Sequence, residues 1–194
     1  DKEEARGILG LKPDKRYLIH VGRFGRKKGI PTIIEVYKRL KKEFEDLELI
    51  LVGGHPSDSL YDFVKQEVPY AFDVLPHEDL PLFYSAADLY VTYGDDFVNL
   101  FGGVGVAQME ALACNRPVVS TTFRDIPLRI REKLGKAPTN VDDFAQCIID
   151  VLRSIDQYKG CREVAMKYFA PEKIANKTLN VYRELTKRYY SMFT

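Results

Sequence analysis

Short, almost unbroken apolar runs alternate along this chain with longer stretches whose apolar residues recur every three or four positions. The first run, Tyr17–Val21 (YLIHV), ends at Gly22. Ile30, Ile33, Ile34, Tyr37 and Leu40 then recur at helical spacing among lysines and glutamates. Leu47–Val52 (LELILV) predicts a second buried strand, stopped by Gly53-Gly54. Asp58 or Ser59 is placed to cap a helix reaching about Gln66. Phe72–Leu75 reads as a weaker third strand, and His77–Ala86 as a short helix with Pro81 in its first turn.

Leu89–Thr92, Val104–Ala113 and Val118–Ser120 predict strand, helix and strand, and a helix runs from beyond Pro127 to about Leu134, ended by Gly135. Val141–Ser154, Tyr158–Tyr168 and Pro171 to about Tyr190 make the C-terminal stretch nearly all helical. Strands alternating with helices imply a parallel sheet covered on both faces. The expected fold is a doubly wound, Rossmann-like α/β domain with a helical C-terminal tail. The charged opening DKEEARGILGLKPDKR is expected to be a linker over residues 1–16, leaving 17–194 as the domain.

Composition narrows the classes of partner. A length of 194 residues is enough for one domain with a full core. Twenty-nine Lys and Arg against 28 Asp and Glu leave a net charge of +1, which argues against a nucleic acid held by bulk electrostatics. No apolar run approaches the roughly 20 residues of a membrane span, so no transmembrane segment is expected. Cys114, Cys147 and Cys161 stand alone, without metal-ligand spacing. They are expected to pack as small hydrophobes, and an odd count suits a reducing, cytoplasmic compartment.

Two stretches carry candidate chemistry. Gly102–Ser120 (GGVGVAQMEALACNRPVVS) places glycines between a strand and a helix, where parallel sheets bind ligands. Glycine lets the backbone approach an anion, and the free N–H groups of the helix start face it. Glu110 is the one acid in an otherwise apolar helix; the alternative, a residue on a solvated face, fits poorly with its apolar neighbours on both sides. In Val21–Ile30 (VGRFGRKKGI) the glycines match neither a dinucleotide fingerprint nor a phosphate loop. The segment instead offers Arg23, Arg26, Lys27 and Lys28 beside a strand end. Arg23 and Lys28, five positions apart, suit a diphosphate, one supplying a planar fork and the other a point charge. The other reading is a solvated basic loop. His20 is expected to be a packed neutral imidazole, His55 a candidate ligand contact in its loop, and His77 a helix-start residue.

Taken in order, VGRFGRKKG, LILVGG, LPHEDLPLFYSAADLYVT and GVGVAQMEALACNRPVVST resemble the nucleotide-sugar half of GT-B glycosyltransferases. The nearest likeness is to family 4, the retaining group that includes bacterial glycogen synthases. The closing YFAPEKIANKTLNVYRELTKRY is similar to that family's final helix, so the resemblance covers nearly the whole chain from Tyr17. It implies that Arg23 and Lys28 hold the donor diphosphate and that Glu110 accepts from the ribose hydroxyls. Gly22 and the loop Gly102, Gly103, Val104, Gly105 and Val106 would border the phosphates or sugar. The backbone of Leu75 and the side chain of Leu80 would lie beside the base. It further implies a UDP-, ADP- or GDP-sugar donor, no required cofactor, no metal, and a separate N-terminal acceptor domain that this chain lacks. The fragment alone is therefore expected to be inactive, with the apolar residues of Val181–Phe193 partly exposed.

Two departures stand out. Gly102 occupies the position of the first glutamate in the family's E-x7-E pattern, and the segment from Tyr93 to Gly102 is about five residues longer than the pattern. Asp95 or Asp96 is a candidate for the missing carboxylate; the alternative is a solvated turn built by Gly-Asp-Asp. Gly102 also keeps open a nucleotide-sugar-binding module that has lost transfer. A similar fold with unrelated nucleotide or sugar-phosphate chemistry remains a third reading.

Overall fold

The computed structural model describes residues 1–94 and 104–191. Its sheet comprises β1 (Arg16–Val21), β2 (Leu47–Gly54), β3 (Tyr70–Asp73), β4 (Leu89–Thr92), β5 (Val118–Ser120) and β6 (Gly135–Lys136). The strands pair in the order β3-β2-β1-β4-β5-β6, and every pair is parallel. The chain thus steps outward from β1 to β3, then returns to lay β4 on the other side of β1. This reversal opens a crevice at the carboxyl ends of β1 and β4, where doubly wound sheets bind ligands.

The helices are α1 (Lys2–Ile8), α2 (Ile30–Lys41), α3 (Tyr61–Glu67), α4 (Leu80–Ala86), α5 (Val106–Ala113), α6 (Leu128–Arg131), α7 (Val141–Arg153), α8 (Cys161–Phe169) and α9 (Pro171–Ser191). Because strand side chains alternate, the sheet feeds two cores. Leu18, Leu49 and Leu51 meet Ile33, Ile34 and Leu40 of α2 and Phe144 and Ile148 of α7 on one face. Tyr17, Ile19, Ile50 and Val52 meet Tyr84 of α4, Ala111 and Leu112 of α5 and Ala165 of α8 on the other. That division explains the unbroken apolar runs, since each central strand is covered on both sides.

Several boundaries differ from the sequence expectations. The opening segment, expected to be a linker, contains α1, capped by Asp1 in a reciprocal capping box and docked against α4. Ala5, Arg6 and Leu11 are buried there, because the segment carries its own small apolar face. Strand β2 continues through Gly53-Gly54. Helix α3 starts after Leu60 without a side-chain cap, because the Asp58 carboxylate is engaged elsewhere. Strand β3 begins two residues before the expected Phe72. The helix after Pro127 stops at Arg131, and Gly135, expected only as its terminator, opens β6. Two residues carry no apolar run, so β6 had no sequence signal.

The described side chains of α9 are exposed along its length, among them Val181, Tyr182, Leu185 and Tyr189. Cys147 and Cys161 are buried, Cys114 is half-buried and all three are free. Burial pushes the Cys147 and Cys161 thiols up to about 12, which leaves them unreactive. Among the described residues no helix is long and apolar enough to cross a membrane.

Candidate functional site

The basic loop is set by one buried ring. Phe24 is fully buried, and a Cβ at Gly54 would stand 2.3 Å from its Cε2 atom, so the second glycine of the pair makes the seat. With Phe24 anchored, a single 3₁₀ turn, Arg26–Lys28, carries the cations outward. Asp58 ties the same loop down. Its Oδ1 accepts from Arg23 Nε at 2.8 Å and lies 2.6 Å from Arg23 Nη2, while Oδ2 accepts the backbone N–H groups of Phe24 (3.0 Å) and His55 (3.1 Å). Desolvation opposes the charge, but these donors outweigh it and hold the carboxyl below its usual range.

A cavity of about 460 Å³ occupies the crevice, bounded by His20 and Val21 from β1 and by Tyr90 and Thr92 from β4. Lys27 and Lys28 line one side, and Gly105 and Val106, the start of α5, line another. The positive end of that helix, with backbone N–H groups that have no intrahelical acceptor, therefore borders the same cavity as the two lysines. Gln108 and Thr122 complete the lining; Gln108 Nε2 donates to Thr122 Oγ1 at 2.9 Å, and Ser120 Oγ lies 2.9 Å from the same oxygen.

His20 is buried in this wall, its ring stacked on Tyr90 and its Nδ1 3.0 Å from the Val91 carbonyl oxygen. A carbonyl only accepts, so Nδ1 carries the proton. Burial pushes the His20 pKa down to about 4; the Val91 bond opposes the shift and the Lys28 charge adds to it. The unfolded chain binds this proton near pH 6.5, whereas the folded chain resists it until about pH 4. Stability is therefore full above pH 6.5 and falls between about 6.5 and 4, by about 1.4 kcal/mol per pH unit and roughly 3 kcal/mol in all. Urea unfolding across that window is expected to show the decline, and His20→Gln to lack that component of it.

Glu110 lies on a different face of α5. Its Oε1 is 2.7 Å from His77 Nε2, and its Oε2 accepts the Tyr84 hydroxyl at 2.8 Å. Leu80 and Pro81 join these three around a hollow of about 120 Å³. Burial, then the neighbouring Tyr90 and Glu110, push the Tyr84 phenol up, so it remains a donor.

The expected residues thus fall into three places. Lys28, Gly105 and Val106 border the crevice, with Val104 half-buried just before them and Gly22 directly after Val21. Glu110 and Leu80 share a second hollow, which has no lining residue in common with the crevice, and Leu75 is half-buried against the core. Arg23, 70% exposed, lines an outer hollow with Ser57 and Asp58 that shares Lys27 and Lys28 with the crevice. His55 is exposed, with Nδ1 2.7 Å from Ser57 Oγ. Asp95, Asp96, Gly102 and Gly103 lie outside the described residues. Gln108, Thr122 and Tyr84 join these sites with no sequence expectation attached, Lys27 with one only as a loop cation and His77 only as a helix-start residue. Gln108 carried a usable signal, being the other long polar side chain in the α5 helix. Among the described residues no group of three His, Cys, Asp or Glu side chains is placed to hold a metal ion.

Comparison with known proteins gives the context. The O-antigen chain mannosyltransferase B of Escherichia coli is 27% identical over 186 residues, covering 87% of this chain and 46% of its own length. The sucrose-phosphate synthase of Thermosynechococcus elongatus superposes with a TM-score of 0.70 at 25% identity, over 96% of this chain and 49% of its own. A pneumococcal O-GlcNAc transferase, solved in complex with UDP and GlcNAc, gives a TM-score of 0.62 at 16% identity over 89% of this chain and 37% of its own. The chain spans about half the length of the curated relatives it matches. The family model "Glycosyl transferases group 1" matches residues 1–168, from α1 through nearly all of α8, and the chain belongs to that family.

Proposed function

We propose that this chain is the donor-binding half of a retaining glycosyltransferase, which moves a hexose from a nucleoside diphosphate sugar to an acceptor held by a separate α/β domain. The observation that carries the reading is the crevice at the β1–β4 reversal, with Lys27 and Lys28 on one side and the start of α5 on the other. Cations and helix N–H groups converging on one cavity suit a diphosphate, and they stabilise the negative charge it gains as the glycosyl bond breaks. The Glu110 carboxylate, on the helix whose start lines the crevice, suits the ribose hydroxyls. The UDP bound by the pneumococcal neighbour agrees with this class of donor. Arg23 is paired with Asp58 and lines the neighbouring hollow that shares Lys27 and Lys28 with the crevice, so its contribution is expected to fall below that of Lys28.

Calorimetric titration of the chain with UDP, GDP, ADP and their glucose or mannose conjugates tests the reading. One nucleotide is expected to bind between micromolar and low millimolar, with Lys28→Ala weakening it by roughly 1.5–3 kcal/mol, the scale of charge-assisted hydrogen bonds. Glu110→Gln is expected to weaken the nucleoside diphosphate while sparing inorganic pyrophosphate. Binding of none of these compounds, or a Lys28→Ala loss below about 0.3 kcal/mol, would remove the donor-domain reading. Gly102 favours a second reading, a binding module without transfer. A two-domain protein that binds the donor but turns over only as Gly102→Glu would establish it.

A further inference from the structure

The far end of the sheet carries another polar hollow. Asp88 directly precedes β4 and Pro117 directly precedes β5, so the hollow they border lies at the amino ends of the strands, opposite the crevice. It measures about 140 Å³, less than a third of the crevice, which is room for a tetrahedral oxyanion and not for a nucleotide. Lys2, Arg116 and Lys159 bring cations to its lining, and Asp88 and Asp156 bring carboxylates.

Arg116 is the residue that packing leaves unexplained. It is half-buried, and burial holds its guanidinium below the usual range, with Asp88 opposing that shift and Arg6 adding to it. An arginine so enclosed ordinarily has a carboxylate partner. Among the described residues Arg116 has none. Its hydrogen bond runs from Nε to the Cys114 carbonyl oxygen at 3.1 Å, which fixes the plane of the fork and leaves Nη1 and Nη2 without an acceptor. Both carboxylates of the lining are engaged already: Asp88 by Arg6, Lys2 and the Tyr17 N–H, and Asp156 by Lys159 at 2.7 Å. The neighbouring Asn115, at φ +59°, accepts the N–H groups of Gly160 (3.3 Å) and Arg162 (3.2 Å) on its Oδ1. This ties the end of α5 to the start of α8 and leaves the Asn115 Nδ2 group as a further donor at the hollow.

We propose that this hollow binds a phosphate group, as the free ion or as a monoester, at a site separate from the crevice. The Arg116 fork takes two of the oxygens, and Lys2 and Lys159 add point charge from the rim. An oxyanion there neutralises the charge that folding leaves on Arg116, which offsets part of the cost of enclosing it. A phosphate dianion suits three cations better than a carboxylate does, because it presents more oxygens and more charge. The site stands whether or not the crevice takes a nucleoside diphosphate sugar, since the two share no lining residue.

Backbone proton–nitrogen NMR separates the two sites. Inorganic phosphate, glycerol phosphate, acetate and chloride are each titrated into the chain at constant ionic strength. The amides of Asn115, Arg116 and Lys159 report on the hollow, and that of Val106 reports on the crevice. Inorganic phosphate is expected to shift the first group saturably in the millimolar range, whereas chloride gives no saturable shift. Arg116→Met is expected to weaken that response at least about tenfold, and Arg116→Lys to recover only part of it because the fork is lost. Lys159→Ala is expected to weaken it about threefold. Its side chain is 78% exposed, so this variant keeps the test decisive should Arg116→Met fail to fold. Lys28→Ala is expected to alter the Val106 response alone. Glycerol phosphate matching inorganic phosphate would assign the hollow to a monoester, and a loss of about tenfold or more would assign it to the free ion. Acetate matching phosphate would overturn the proposal. So would a response that survives both Arg116→Met and Lys159→Ala unchanged, or no saturation by either phosphate compound at tens of millimolar.

Discussion

Asp88→Ala is expected to cost roughly 3–5 kcal/mol of folding stability, the range for breaking a buried ion pair by removing one partner. The Asp88 carboxylate is only 10% exposed and holds three groups together. Oδ2 accepts from Arg6 Nη2 at 2.7 Å and from the backbone N–H of Tyr17 at 2.8 Å, and Oδ1 accepts from Lys2 Nζ at 3.0 Å. Arg6, itself 6% exposed, also donates Nε to the Ala86 carbonyl oxygen and Nη1 to that of Pro13, and its guanidinium lies over the Tyr17 ring. It cannot follow the lost charge into water without breaking those bonds. The Lys2 contact is 42% exposed and adds little. Urea unfolding with an unchanged m-value measures the loss, and pyrophosphate binding by the variant should persist where the chain remains folded. A loss below about 1 kcal/mol would mean that apolar contact alone docks α1.

Gly29→Ala is the second large effect, and it joins stability to the site. Gly29 has φ +66°, ends the 3₁₀ turn that carries Lys27 and Lys28, and is the N-cap of α2. A Cβ there would stand 1.6 Å from the Tyr93 carbonyl oxygen, a backbone atom with no freedom to move alone. The left-handed conformation costs a non-glycine residue about 1–2 kcal/mol, and relieving the overlap costs about 1–3 kcal/mol more. A destabilisation of about 2–5 kcal/mol is expected, with weaker pyrophosphate binding because the relieving shift displaces Lys28. An alanine variant within about 1 kcal/mol of wild type would show that the turn and Tyr93 do not need this close approach.

These two residues illustrate what a sequence conceals. Gly29 reads as one more glycine in a basic loop and Asp88 as one acid after a helix, yet each is defined by a partner far away in the chain. Arg23 shows the same limit from the other side. Its type and its spacing from Lys28 suit a diphosphate, but Asp58, placed in sequence to cap a helix, binds it from another loop. His77 was legible only as the start of a helix, because its contact with Glu110 joins two helical segments across the sheet face. β6 left no trace, since two residues are too few for a periodicity.

Local patterning along the chain was enough for the order of the central strands and helices, though not for α1 or β6, and for the parallel α/β class, the two loops that carry cations and glycines, and the singular position of Glu110. These follow from local rules: the 2.0 and 3.6 periodicities, turn chemistry, and the cost of placing a charge among apolar neighbours. Long-range packing alone set which strands are neighbours, and so that β1 and β4 together bound the crevice. It also decided which cations face that crevice, and which donors hold each carboxylate. Those pairings bring together atoms distant in the chain through packing and charge neutralisation, and no spacing along the sequence encodes them.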